Sequence, residues 1–327
     1  MIKFFRQSYA IQYVVIALMA IALWIPAFAA GKATMGLGEP VIPIFNVIDR
    51  LLSFSSLAQH AFAFILLVVE TLLFNSMMVK NQIVGKVSVM GAFVFVLLMS
   101  LTQTQTNFYP FALSVLFILM AISNLFEIYQ LQKPEMNLLK AGASIALASM
   151  CYFPSILLML WVFIALPIAK KGTLRLQLIP GFGFLFVYFV YFAGAFLFSD
   201  LRPVLHGYFD YFTSIKFSVE GFNLKIVFLL SALVLSTVFL LFGSSNAAFE
   251  KTIAVRTKIS MTYMLAVFAL LLLFLGGIVM MQGLIFVVLA ILVSYAFSYI
   301  SNTSWADLFL VVFLLLVFAN HYYFKLL

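Results

Sequence analysis

Residues 58–79 read AQHAFAFILLVVETLLFNSMMV. From Ala61 to Val69 no polar side chain interrupts the run, and a single carboxylate, Glu70, follows it. A β-strand with one face in lipid alternates every second residue, and this stretch does not. As a helix rising about 1.5 Å per residue it reaches about 33 Å, enough for a hydrocarbon core of about 30 Å. The stretch therefore reads as a membrane-spanning α-helix with one ionisable group near its middle.

The pattern repeats along the chain. The 327 residues are 66% hydrophobic and 9% charged, with a mean hydropathy of +1.20. Soluble domains run near 45–50% apolar and about 25% charged, and disordered chains have the opposite bias. Further spans are expected at 9–30, 84–101, 109–130, 177–199, 224–242, 259–275, 278–299 and 305–324. The expected fold is all-α, a polytopic transmembrane helical bundle of about 9–11 membrane helices. Residues 1–327 read as one integral membrane domain. Lys3, Arg6 and Ala27-Phe28-Ala29 imitate a secretory leader. Ile11–Ala30 is nevertheless long enough to span, so an uncleaved first helix is expected.

Residues 141–168 are too short for two full spans and long for one, at roughly 42 Å of helix. Lys133 and Lys140 precede the segment, and Lys170, Lys171 and Arg175 follow it. Basic residues on both sides place both ends at one membrane face. The segment reads as two short helices meeting near Tyr152-Phe153-Pro154, a re-entrant hairpin. The alternative is one long tilted helix kinked at Pro154.

Two stretches are amphipathic. In 41–56, Val41, Ile44, Phe45, Ile48, Leu51 and Leu52 share a face opposite Asn46, Asp49, Arg50 and Ser53. In 200–222, Leu201, Val204, Leu205, Tyr208, Phe209 and Phe212 oppose Arg202, His206, Asp210 and Thr213. Both read as interfacial helices. With the N-terminus inside, the inner loops hold 12 Lys and Arg against 6 outside. That bias favours a cytoplasmic N-terminus in a bacterial inner membrane and puts both amphipathic helices on the outer face.

The net charge of +8 is carried by short loops, not by a patch that could neutralise several phosphates, so nucleic acid is not an expected partner. One cysteine, Cys151, and three widely spaced histidines exclude an internal disulfide and a thiolate metal site. No metal or cofactor is expected. No phosphate-binding glycine loop, dinucleotide fingerprint, zinc-protease or serine-hydrolase motif is present.

Three groups of residues could carry chemistry. Asp49 could act as a general base on an acceptor hydroxyl, with Arg50 binding a phosphate. The same pair also describes the solvated face of an amphipathic helix. Arg202, His206 and Asp210 fall on one helical face at spacings of four and could meet a phosphate or sugar; an interfacial helix shows this pattern without a substrate. Glu70, Asn124, Glu127 and Asp307 are intramembrane polar groups, costly in hydrocarbon. Glu70 is the deepest, whereas Glu127 and Asp307 lie near span ends and can snorkel to the interface. The 39 phenylalanines, dense over Phe182–Phe198, suit either lipid contact or a groove for a polyprenyl chain.

Three stretches carry a family resemblance: FFRQSYAIQYVV from Phe4 with LWIPAF from Leu23, LLKAGASIALASMCYFP (Leu138–Pro154) and LRLQLIPGFGFLFVYF (Leu174–Phe189). They resemble an uncharacterised family of polytopic inner-membrane proteins of Bacteroidetes, a likeness that implies topology and no assigned reaction. A weaker likeness is to C-superfamily membrane glycosyltransferases and polysaccharide polymerases. In those proteins a carboxylate in the large outer loop after the first span is the catalytic base, and a polyprenyl-phosphate sugar is the donor. Asp49 occupies the comparable place. The acidic pair frequent in that loop is replaced here by Asp49-Arg50, with Glu39 ten residues earlier.

The resemblance implies a glycosyltransferase-like envelope protein whose partners are membrane lipid and a polyprenyl-phosphate-linked sugar. The alternative is a non-enzymatic scaffold with a protein partner, or a small-solute transporter, in which Glu70 matters more than Asp49.

Overall fold

A computed structural model describes residues 2–30, 43–85, 88–102, 106–198, 201–214, 252–276, 278–300, 303–319 and 322. Glu39, Asp200, the expected span at 224–242 and His321 lie outside the described residues. The described helices are α1 (Ile2–Phe5), α2 (Ala10–Ala30), α3 (Pro43–Leu52), α4 (Ser56–Lys80), α5 (Met90–Met99), α6 (Pro110–Glu127) and α7 (Glu135–Cys151). A 3₁₀ turn, Phe153–Leu157, leads to α8 (Leu158–Ile168), α9 (Leu174–Phe198), α10 (Leu201–Ser214), α11 (Ile253–Gly276), α12 (Ile278–Tyr299) and α13 (Thr303–Ala319). Six of these, α2, α4, α6, α9, α11 and α12, are long and apolar enough to cross a membrane. The protein is an all-α, polytopic helical membrane bundle.

At the centre lies α5, packed against α4 and α12. All ten of its residues are buried, as expected of a helix that is hydrophobic all round. It is shorter than the span expected at 84–101. The N–H of Val89 and the hydroxyl of Ser88 donate to the Phe5 carbonyl at 3.1 and 3.3 Å, which ties the segment before α5 to the N-terminus. Beyond Met99 the chain leaves the helix, yet Ser100, Thr102 and Thr106 remain buried.

Two helices end in the same way. Ile83 N–H donates to Met78 O and Gln82 N–H to Val79 O; Lys171 N–H donates to Leu166 O and Lys170 N–H to Pro167 O. These six-to-one and five-to-two pairs close the orphan carbonyls and need a left-handed residue, usually glycine. Gln82 (φ 57°) and Lys170 (φ 58°) supply it instead. Gln82→Gly is therefore expected to stabilise the protein by about 0.5–1 kcal/mol, read as a higher thermal midpoint in detergent. An unchanged or lower midpoint would show the left-handed residue is unstrained.

The segment around Pro154 forms a hairpin. α7 starts at Glu135, directly after Pro134 and six residues before the boundary expected from sequence. It ends where Tyr152 turns extended, at φ −147° and ψ 106°. The return is fixed at both levels. At the tip, the Ser114 hydroxyl of α6 meets the Ala148 carbonyl at 3.0 Å and the Ser155 hydroxyl at 2.9 Å. At the base, Lys171 Nζ donates to the Leu131 carbonyl at 3.2 Å. The chain before α7 and the chain after α8 thus meet at one end of the bundle, and a single kinked span is excluded. The Trp161 indole N–H holds α8 to α11 through Met261 O at 3.1 Å.

That end is the basic one. Lys80 pairs with Glu127 at 2.7 Å, and Asn137 donates to the same carboxylate at 3.2 Å. Lys258, expected in a loop, lies inside α11 and is 0% exposed. Its ammonium donates to Asn81 O at 3.0 Å.

Glycine sets the closest helix contact. A Cβ on Gly142 of α7 would lie 1.9 Å from the Pro180 carbonyl of α9, and one on Gly183 would lie 2.3 Å from Leu139 O. In hydrocarbon, helices associate by close packing of small residues rather than by expulsion of water. The outer faces of α9 carry Phe182, Leu185, Phe186, Phe189 and Phe196, all exposed as lipid-facing residues are.

Candidate functional site

Two places at the end of the bundle opposite the basic one combine shape with polar chemistry. The first is a groove of about 320 Å³, lined by Phe153 and Ile156 of the hairpin tip, Phe184, Tyr188 and Phe192 of α9, and Leu205, Tyr208 and Phe209 of α10. Its lining is aromatic because α9 repeats phenylalanine and tyrosine along the stripe that faces α10. The rings interlock: Tyr188 and Tyr208 lie edge-on at 6.3 Å, and Phe192 and Tyr208 at 5.9 Å. Tyr188 is anchored by the Ser149 hydroxyl at 2.8 Å. Tyr208 is 8% exposed, and its hydroxyl has no hydrogen-bond partner among the described residues. Burial, with Tyr188 and Tyr191 adding, pushes its phenol above the usual tyrosine range.

None of the polar residues named from sequence is among the residues that line this groove. Arg202, His206 and Asp210 are exposed on the polar face of α10. Leu205 and Phe209, at the border of that face, form part of the groove wall. From α3, Ile44 packs on the cluster that holds Phe153, Tyr188 and Tyr208. Both amphipathic helices therefore set their apolar faces on one aromatic cluster. Asp49 is half-buried, and Gln59 Nε2 of α4 donates to its Oδ1 at 3.1 Å. Arg50 is exposed. The described cavities are lined by other side chains, so no enclosed chamber containing both polar faces is seen among the described residues.

The second place is the inner face of α4. Its buried residues Gln59, His60, Ala63, Leu66, Leu67, Glu70, Thr71 and Phe74 recur at helical spacing. Glu70 is 2% exposed, and its Oε1 has no hydrogen-bond partner among the described residues. It lines a cavity of about 10 Å³ with Trp24, Leu67, Met99, Asn107, Tyr109 and neighbours, about the least space that admits one water molecule. Around it, Trp24 Nε1 donates to Ser100 Oγ at 3.1 Å and Gln282 Nε2 to Thr102 Oγ1 at 3.2 Å. His60 is likewise buried, with both ring nitrogens unpartnered among the described residues and its ring 5.8 Å from that of Phe28.

The remaining intramembrane residues have structural partners. Asn124 donates to Met120 O of its own helix at 2.7 Å. Glu127 serves Lys80 and Asn137. Asp307 Oδ1 accepts the Ile2 N–H at 2.6 Å. Among the described residues no group of three or more His, Cys, Asp or Glu could hold a metal ion. The sequence reading placed Tyr208 on an apolar stripe and did not select it. The available signal was a hydroxyl on the apolar face of an interfacial helix. No family model, curated protein or solved structure matches the chain.

Proposed function

We propose that the chain is a glycosyltransferase-like protein of the bacterial inner membrane that acts on polyprenyl-linked glycans in envelope biogenesis. The supporting observation is the aromatic groove bordered by the basic face of α10. A groove of this size lies in the range of ligand sites and suits an isoprenoid chain. Arg202 and His206 stand where a phosphate at the interface would meet them, with Arg50 as a further cation. Asp49, oriented by Gln59, is the base that takes the acceptor hydroxyl proton. The concentration of Lys80, Lys170, Lys171 and Arg175 at the opposite end supports a cytoplasmic N-terminus.

Asp49→Asn is expected to lower glycan transfer about 10²–10⁴-fold at normal protein level. Arg202→Ala should weaken substrate use while leaving folding intact. An unchanged glycan profile in Asp49→Asn cells, with protein present in the membrane, would sink the enzymatic reading. One observation favours a second reading, a small-solute transporter or a scaffold with a protein partner: the buried Glu70 Oε1, which has no hydrogen-bond partner among the described residues. Solute uptake that fails in Glu70→Gln and survives in Asp49→Asn would select it.

A further inference from the structure

The Glu70 cavity is carried by observations independent of the groove. It is enclosed by α2, α4, α6 and the chain on either side of 103–105. Among the described residues no lysine, arginine or histidine lines it. The indole N–H of Trp24 is committed to Ser100 and does not serve the carboxyl. On α3, Asp49 meets α4 at Gln59, eleven residues before Glu70. His60 shares the inner face of α4 but lies about 15 Å away along the helix. Of the lining residues, only Glu70 and Tyr109 can titrate.

Among the described residues, the oxygen-bearing side chains in the lining are Glu70, Asn107 and Tyr109, short of the about 6–8 oxygens that calcium takes and of the octahedral shell of magnesium. The space fits one water-sized particle beside a carboxyl oxygen that nothing else engages. Asn107 is only half-buried, so the cavity lies between Glu70 and the surface of the end opposite the basic cluster. We infer that Glu70 is a proton-carrying site, loaded from the Asn107 end through a single water molecule held against its free oxygen. The Glu70 oxygen takes the proton from that water, and the water regains one from solvent past Asn107. No other bond changes.

Dicyclohexylcarbodiimide tests this on the full chain in lipid vesicles, since it is membrane-soluble and reacts with protonated carboxyls. The carboxyl O–H adds across the carbodiimide C=N, giving an acylisourea that rearranges to a stable acylurea with nothing released. Mass spectrometry of the wild-type chain should find the adduct on the Glu70 peptide and not on Glu127, which Lys80 holds in an ion pair. Labelling should fall about tenfold per pH unit once the carboxyl ionises. Sodium should not protect it, and Asn107→Leu should slow it several-fold. A folded wild-type chain unlabelled at Glu70 at every pH overturns the inference. So does labelling indifferent to pH, and protection by sodium would make the site a metal-ion site instead. The readout needs no Glu70 variant and does not depend on glycan transfer.

Discussion

Gly142→Leu is expected to cost more than about 4 kcal/mol, the range reached only by a few mechanisms such as severe overpacking. A β-carbon at this position would stand 1.9 Å from the carbonyl oxygen of Pro180. The obstacle is backbone, so no rotamer change can relieve it; α9 itself would have to move. Gly183 opposes Leu139 in the same way from the other helix, so the two glycines interlock α7 with α9. Because α7 is also the first arm of the hairpin, displacing α9 would open the floor of the aromatic groove. Gly181 and Gly194, on the same helix α9, have nothing within 4 Å of a built β-carbon. Changing either to alanine should be neutral or stabilising by up to about 1 kcal/mol, through helix propensity alone. Monodisperse yield and thermal midpoint in detergent separate the cases. A Gly142→Leu protein with the wild-type midpoint would mean that α7 and α9 are not in backbone contact.

Two of the three stretches that carried the family resemblance, Leu138–Pro154 and Leu174–Phe189, lie in the two helices that this interlock joins. Their glycines could be seen in the sequence, but their partners could not. Helix class, the six long spans and the hairpin were legible, because run length, Pro154 and the lysines flanking 141–168 act through local chemistry. Which helix faces lipid was not. α9 and the 282–299 part of α12 are about equally apolar, yet α9 is mostly exposed and that part of α12 is almost wholly buried. Lipid tails and protein interiors are equally apolar, so composition does not distinguish them. The same limit hid the groove: Tyr208 reads as one more residue on an apolar stripe until α9 is placed beside it. Ser100, Thr102 and Thr106 show the reverse case. Polar residues just past the end of α5 face inward, where Ser100 meets Trp24 and Thr102 meets Gln282. Glu70 was legible because a carboxylate in an apolar run is conspicuous wherever the run lies. The absence of a basic partner could not be read before its neighbours were known.

Arg6→Ala is the second substitution with a large expected effect, about 3–5 kcal/mol. Arg6 donates from Nη2 to Phe297 O at 2.6 Å and to Ile300 O at 2.9 Å, and from Nε to Phe297 O at 3.1 Å. These carbonyls sit at the C-terminal end of α12, where the last helical oxygens have no internal donor and a cation is favoured by the helix dipole. Hydrogen bonds from a charged donor are worth about 1.5–3 kcal/mol each before non-additivity, and removing the donor leaves partly buried carbonyls unpaired. Burial lowers the guanidinium's proton affinity while Asp307 opposes the shift; an arginine side chain keeps its charge in proteins regardless. The neighbouring contacts reinforce the loss, since Phe5 O holds the start of α5 and Ile2 N–H holds Asp307 of α13. Arg6→Lys should recover less than half of the stability, because one ammonium cannot reproduce the planar fork. Arg175 is the matching control: an exposed arginine at the same basic end, with the same weight in topology. If Arg175→Ala lowers folded yield and thermal midpoint as much as Arg6→Ala, the loss comes from the charge bias that orients the chain. If only Arg6→Ala does so, the fork onto α12 fastens the N-terminal segment to the bundle.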